Sequence, residues 1–126
     1  DYKSVELEYF RRTRIFPIMH TVVMRESLVK EEPGIASSVW KAFVEAKQLS
    51  YSKMNDPRIS NLAWPHVYRD EENIVFGNDL WPYNLENNRK TLETLISYEQ
   101  EQGLIGKQPA VEDLFVQNAL DFRENY

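Results

Sequence analysis

At 126 residues and 14.9 kDa the chain has the length of one domain, or of part of a larger protein, and too few residues for two independent cores. With 42% hydrophobic and 28% charged residues, 4 Gly and 6 Pro, it is neither disordered nor fibrous, and a formal net charge of -5 disfavours the phosphate backbone of nucleic acid. The absence of Cys removes disulfides, thiolate zinc sites and a cysteine nucleophile, and a multi-histidine metal site built on 2 His would need carboxylates to complete it.

Residues 2–14 carry two patterns. Val5, Leu7 and Tyr9 alternate as in a strand, while Lys3, Glu6 and Phe10 suit a short helix ending in Arg11, Arg12 and Arg14. Residues 15–24, IFPIMHTVVM, are apolar on both faces and end β-branched, the pattern of a strand buried on both sides of an α/β sheet. Pro17 places itself near the strand's start, at a bulge or at an edge. The run Glu31-Glu32-Pro33-Gly34 predicts a helix start, and Ile35, Val39, Phe43 and Ala46, with Ala36, Trp40 and Val44 beside them, form a buried stripe to about Lys53. Asn55-Asp56-Pro57 ends that helix. A short irregular or helical stretch, residues 58–63, leads to Trp64-Pro65.

Residues 68–76 predict a short acidic helix stopped by Gly77. A second clear helix follows over about 86–102, with Leu92, Leu95 and Ile96 inward and Gly103 as its C′ residue. Pro109 opens one more short helix, 111–115, before a charged tail. A strand buried on both faces needs partners that the remaining sequence hardly supplies, so they are expected from residues 2–14, from a missing part or from another copy. No apolar run approaches the roughly 20 residues of a membrane span. No basic and apolar leader pattern is visible, and a cytoplasmic protein is expected.

Three groups carry possible chemistry. His20 shares a face with Phe16, Ile18, Val22 and Met24; it could donate a proton or hold an anion, or be a core imidazole satisfied by a carbonyl. Arg11, Arg12 and Arg14 could grip carboxylates, or simply complement a helix end. Trp81-Pro82-Tyr83 directly precedes a helix N-terminus, where rings and free N–H groups can meet a flat anion; the alternative is a loop anchored by aromatic packing. His66 has no HxxxH or HxxE companion, and GxGxxG, GxxxxGK[ST] and GxSxG are all absent, so metal, nucleotide and serine-hydrolase chemistry lack support.

The run from Tyr9 to Val23, YFRRTRIFPIMHTVV, and the run from Asn78 to Glu93, NDLWPYNLENNRKTLE, resemble two blocks of the 4,5-dihydroxyphthalate decarboxylase family. Between and after them, Val39-Trp40-Lys41-Ala42-Phe43, residues 99–104 and Asp113-Leu114-Phe115 are similar to further family segments, in the same order. The family's blocks carry Gly where this chain has Arg14 and Asn84. The resemblance implies an α/β fold, the C-terminal part of a two-lobed type 2 periplasmic-binding-protein-like fold, mostly helical here with one main buried strand. Residues 1–126 would then be a single unit, a C-terminal fragment of a larger protein, inactive alone and prone to self-association.

The implied activity is removal of CO2 from an aromatic dicarboxylate without cofactor or metal. His20 is the expected proton donor, Arg11 or Arg12 the expected carboxylate ligand, and Trp81 or Tyr83 the ring that stacks on the substrate. The alternative is a non-catalytic binding protein for a small organic anion.

Overall fold

The computed structural model describes residues 1–124; the last two residues of the charged tail lie outside the described residues. Five α-helices follow in order: α1 (Tyr2–Thr13), α2 (Glu26–Glu31), α3 (Ile35–Met54), α4 (Pro65–Phe76) and α5 (Leu85–Glu101). Short 3-10 turns occupy Pro57–Ile59, Val111–Leu114 and Gln117–Ala119. Among the described residues there is no β-strand, which corrects the expected α/β class and removes the support for a periplasmic-binding-protein-like fold. Residues 15–24 lie outside any regular element, and among the described residues no hydrogen bond reaches the main chain of residues 16–24. The β-branched pattern read there as a buried strand lacks a partner, and Met19, Val22 and Val23 are 68%, 62% and 88% exposed.

Local chemistry explains the helix boundaries. Asp1 caps α1 by accepting from the Ser4 N–H (3.5 Å) and Ser4 Oγ (2.6 Å), which resolves the ambiguous first segment as helix. At its other end Arg14 takes φ 58°, the left-handed conformation that Gly adopts without steric cost, and its N–H reaches Phe10 O at 2.7 Å. The helix expected to start in the run 31–34 begins at Ile35 as α3, and a further short helix, α2, which the sequence did not announce, precedes that run and ends at Glu31. Pro65 opens α4 three residues before the acidic helix expected from Tyr68, and Gly77 ends it at φ 80°. Asn84 caps α5 through its side chain, accepting from the Asn87 N–H at 2.9 Å. Leu104 N–H to Glu99 O (2.8 Å) and Gly103 N–H to Gln100 O (2.9 Å) close the helix in a Schellman motif.

Leu85, Leu92 and Ile96 of α5 pack with Val111, and Ile18, Ile105, Phe115 and Leu120 cover them. Leu95, expected inward, is half-exposed, as is Phe43 of α3. A second cluster is aromatic: Phe16 lies 5.0 Å from Phe76 and 5.1 Å from Trp81, ring centre to ring centre, and Phe10 lies 4.6 Å from Phe76. It ties α1, the extended segment, α4 and the loop before α5 together by contacts among rings. The Lys3–Glu71 ion pair bridges α1 and α4 at the surface, where such a pair contributes little.

Candidate functional site

The residues between Gly77 and α5 form an irregular loop whose polar atoms are held by side chains from α3 and α5. Asp79 Oδ1 accepts from the Trp81 N–H at 3.1 Å and from the Tyr51 hydroxyl at 3.0 Å. Trp40 Nε1 donates to Tyr83 O at 2.7 Å, and Asn88 Nδ2 donates to Pro82 O (2.7 Å) and Asn84 O (2.9 Å). Both asides of the loop are therefore pinned, Trp40 acting from α3 and Asn88 from α5.

Lys47 is the centre of the arrangement. It lies on the α3 stripe formed by Ala36, Trp40, Val44 and Tyr51, and its side chain is only 4% exposed. Nζ donates to Asp79 Oδ2 (2.9 Å), Trp81 O (2.7 Å) and Glu124 Oε2 (2.5 Å), which engages the three N–H bonds of an ammonium. It also stands 4.2 Å from the centre of the Tyr83 ring, within cation–π range. Among the described residues this buried cation faces two carboxylates. Neutral donors support the second carboxylate, since Glu124 Oε1 accepts from the Tyr83 N–H and from Asn84 Nδ2 (3.4 Å). Burial, then the hydrogen bond to Asp79, raises the Tyr51 phenol well above its ordinary value, so Tyr51 acts here as a hydrogen-bond donor.

Next to this cluster opens a cleft of about 440 Å³ between α3, α4 and the loop. Phe43, Trp81 and Tyr83 supply aromatic surface, while Lys47, Tyr51 and Arg69 supply polar groups; Arg69 is braced by donating to Tyr51 O at 3.1 Å. Lys47 and Tyr51 are engaged within the cluster, so the aromatic walls and the Arg69 guanidinium, with the Glu72 carboxylate also in the lining, are what the cleft offers a small flat molecule.

Of the residues singled out in the sequence, Trp81 and Tyr83 meet in this cleft. His20 is exposed and lines a different, smaller depression of about 260 Å³ with Ile18, Thr91 and Leu95. Arg11 and Arg12 are exposed on the last turn of α1 and line neither depression; Arg12 lies over the Tyr9 ring at 5.7 Å. Lys47, Tyr51, Asp79 and Arg69 were missed. The available signal was a lone cation in the stripe of Ala36, Trp40, Val44 and Tyr51, where a solvated lysine has no place. Among the described residues no group of three or more His, Asp or Glu is placed to hold a metal ion, and no helix is long and apolar enough to cross a membrane.

The chain is distantly similar to a decarboxylase. That relative, the 4,5-dihydroxyphthalate decarboxylase of Comamonas testosteroni, is 24% identical over 117 residues, covering 91% of this chain. The chain spans 36% of the relative's length. No protein-family profile matches it.

Proposed function

We propose that this chain is part of a carboxy-lyase acting on an aromatic dicarboxylate such as 4,5-dihydroxyphthalate, and that the cleft beside Trp81 and Tyr83 seats the substrate ring. The observation that carries the reading is the likeness to the decarboxylase along 91% of the chain, which includes the residues that build the cleft. In such a reaction a ring hydroxyl donates electron density, the carbon bearing the carboxylate takes up a proton, and the C–C bond to the carboxylate breaks to release CO2 as the ring regains aromaticity. The protein's work is to hold the second carboxylate, orient the ring and deliver the proton. Arg69 and the aromatic walls are suited to the first two tasks.

His20 remains the residue proposed for proton delivery on its place in the first resembling block alone, since it lines a different depression from the ring site. Support for a larger assembly comes from the surface: the chain exposes 9882 Å², against about 7,000 Å² for a compact monomer of this mass. We therefore take the chain as one part of a longer protein whose remaining residues complete the active enzyme.

The test is CO2 release from 4,5-dihydroxyphthalate by the longest natural protein containing this sequence. Turnover that falls at least 100-fold in His20→Gln and persists in a surface control such as Lys107→Gln supports the reading. Absence of turnover by folded wild-type protein overturns it. A second reading, binding of an aromatic anion without reaction, is favoured by the separation of His20 from the cleft that holds Trp81 and Tyr83. Thermal stabilisation by the same compound without CO2 release would select it.

A further inference from the structure

Glu124 reaches back into the molecule from the far end of the described chain, 77 residues beyond Lys47, and its side chain is 1% exposed. One of its oxygens rests on the Lys47 ammonium; the other is shared by the Tyr83 main-chain N–H and the Asn84 carboxamide. An ammonium, a main-chain donor and a side-chain donor converging on two oxygens is a complete recognition set for a carboxylate. The segment that delivers Glu124 is anchored at separate points, with Leu120 packed on the α5 core and Asn118 Nδ2 donating to Pro33 O at 2.9 Å, and none of residues 117–123 is fully buried. Phe122 stacks on Trp40 with ring centres 4.7 Å apart, Arg123 makes a surface ion pair with Glu86 at 3.2 Å, and the turn Gln117–Ala119 has no buried residue. A buried charged head is thus carried on a strap whose own residues are exposed or half-buried.

We propose that Lys47, the Tyr83 N–H and Asn84 form a carboxylate-binding site for an external ligand, that Glu124 is its internal occupant, and that a ligand carboxylate enters by displacing the tail. Lys47 and Tyr83 also line the cleft, so the site and the ring-binding walls are continuous. A tethered carboxylate acts at an effective concentration in about the millimolar range, and the apparent affinity for a free ligand falls in proportion to the fraction of molecules with the tail withdrawn. The proposal rests on the decarboxylase reading only for the choice of an aromatic carboxylate as ligand.

Phthalate, which carries the two carboxylates without ring hydroxyls, is the probe. Isothermal titration of the full chain is expected to show binding at least tenfold tighter in Glu124→Gln, which keeps the side chain's shape and removes its charge, than in wild type. Phe122→Ala, which loosens the strap and alters none of the three recognising groups, is expected to tighten binding in the same direction. In the wild type, phthalate is expected to speed tryptic cleavage after Arg123 by freeing the tail. Should Phe122→Ala bind phthalate no more tightly than wild type, or phthalate slow cleavage at Arg123, the proposal fails; it fails equally if no folded variant binds phthalate. These outcomes are independent of turnover: CO2 release without the affinity gain removes the latch alone, and the affinity gain without CO2 release removes the decarboxylase alone.

Discussion

Residues 79–84 and residues 15–24 are both non-helical, both rich in aromatic or β-branched side chains, and both begin close to the end of a helix. Their fates differ. In the first, side chains from α3 and α5 reach main-chain atoms of Trp81, Pro82, Tyr83 and Asn84, so irregular backbone is fixed without a ladder. In the second, Thr13 Oγ1 accepts from the Ile15 N–H at 3.1 Å and, among the described residues, no further hydrogen bond reaches the main chain up to Met24. Phe16 and Ile18 anchor it through packing, Ile15 and Met24 are half-buried, and Met19, Val22 and Val23 face solvent. Irregular backbone becomes a scaffold for chemistry when neighbouring helices deliver donors and acceptors to it; apolar side chains without such partners only attach it.

The largest effect that would break this contrast is Lys47→Met. It strips the loop of its central donor and leaves Asp79 and Glu124 as buried carboxylates without their cation, at an expected cost of about 3–5 kcal/mol in urea unfolding. A loss below about 1 kcal/mol would mean that the loop does not depend on Lys47.

Tyr51→Phe is smaller, about 1–2 kcal/mol, for one hydrogen bond to a charged acceptor. It also has a pH signature. Because the folded-state phenol is raised above its unfolded value of 10.0, its contribution is complete below about pH 10 and declines as pH rises toward the folded value. The wild type should therefore lose stability through that alkaline window more steeply than the Phe variant. Parallel slopes would show that the phenol titrates alike in the folded and unfolded chains.

The smallest effect concerns the entrance to residues 15–24. Arg14 holds φ 58° at a position where the resembling family block has Gly, so Arg14→Gly is expected to raise stability by about 1 kcal/mol, read as a higher melting temperature. A loss instead would show that the contact of Arg14 with the Phe10 ring, at 5.6 Å, outweighs the backbone cost.

Where periodicity and punctuation carry the signal, the sequence is readable. The existence of α3 and α5, the stop at Asn55, Gly77 after α4 and Gly103 after α5 follow from side-chain spacing and from glycine's access to positive φ, while Phe43, Ala46 and Leu95, expected inward, are exposed. The six residues of α2 are too short to show a period. Residues 15–24 mislead for a different reason: alternation and β-branching describe what a strand would need on its faces and say nothing about whether another strand exists. The candidate site divides likewise. Trp81 and Tyr83 stand out by residue type and position before a helix. Lys47 acquires its role from Asp79 and Glu124, 32 and 77 residues away, a proximity that only the folded chain creates.

The exposed area has a consequence for how the chain unfolds. A compact chain of this mass would expose about 7,000 Å², and the 9882 Å² observed leaves about a fifth less surface to be newly hydrated on unfolding. Both the denaturant m-value and the heat-capacity increment scale with that newly hydrated surface. Isolated, the chain should cross a broad, shallow transition with weak curvature in its stability against temperature, and docking onto further protein would sharpen both.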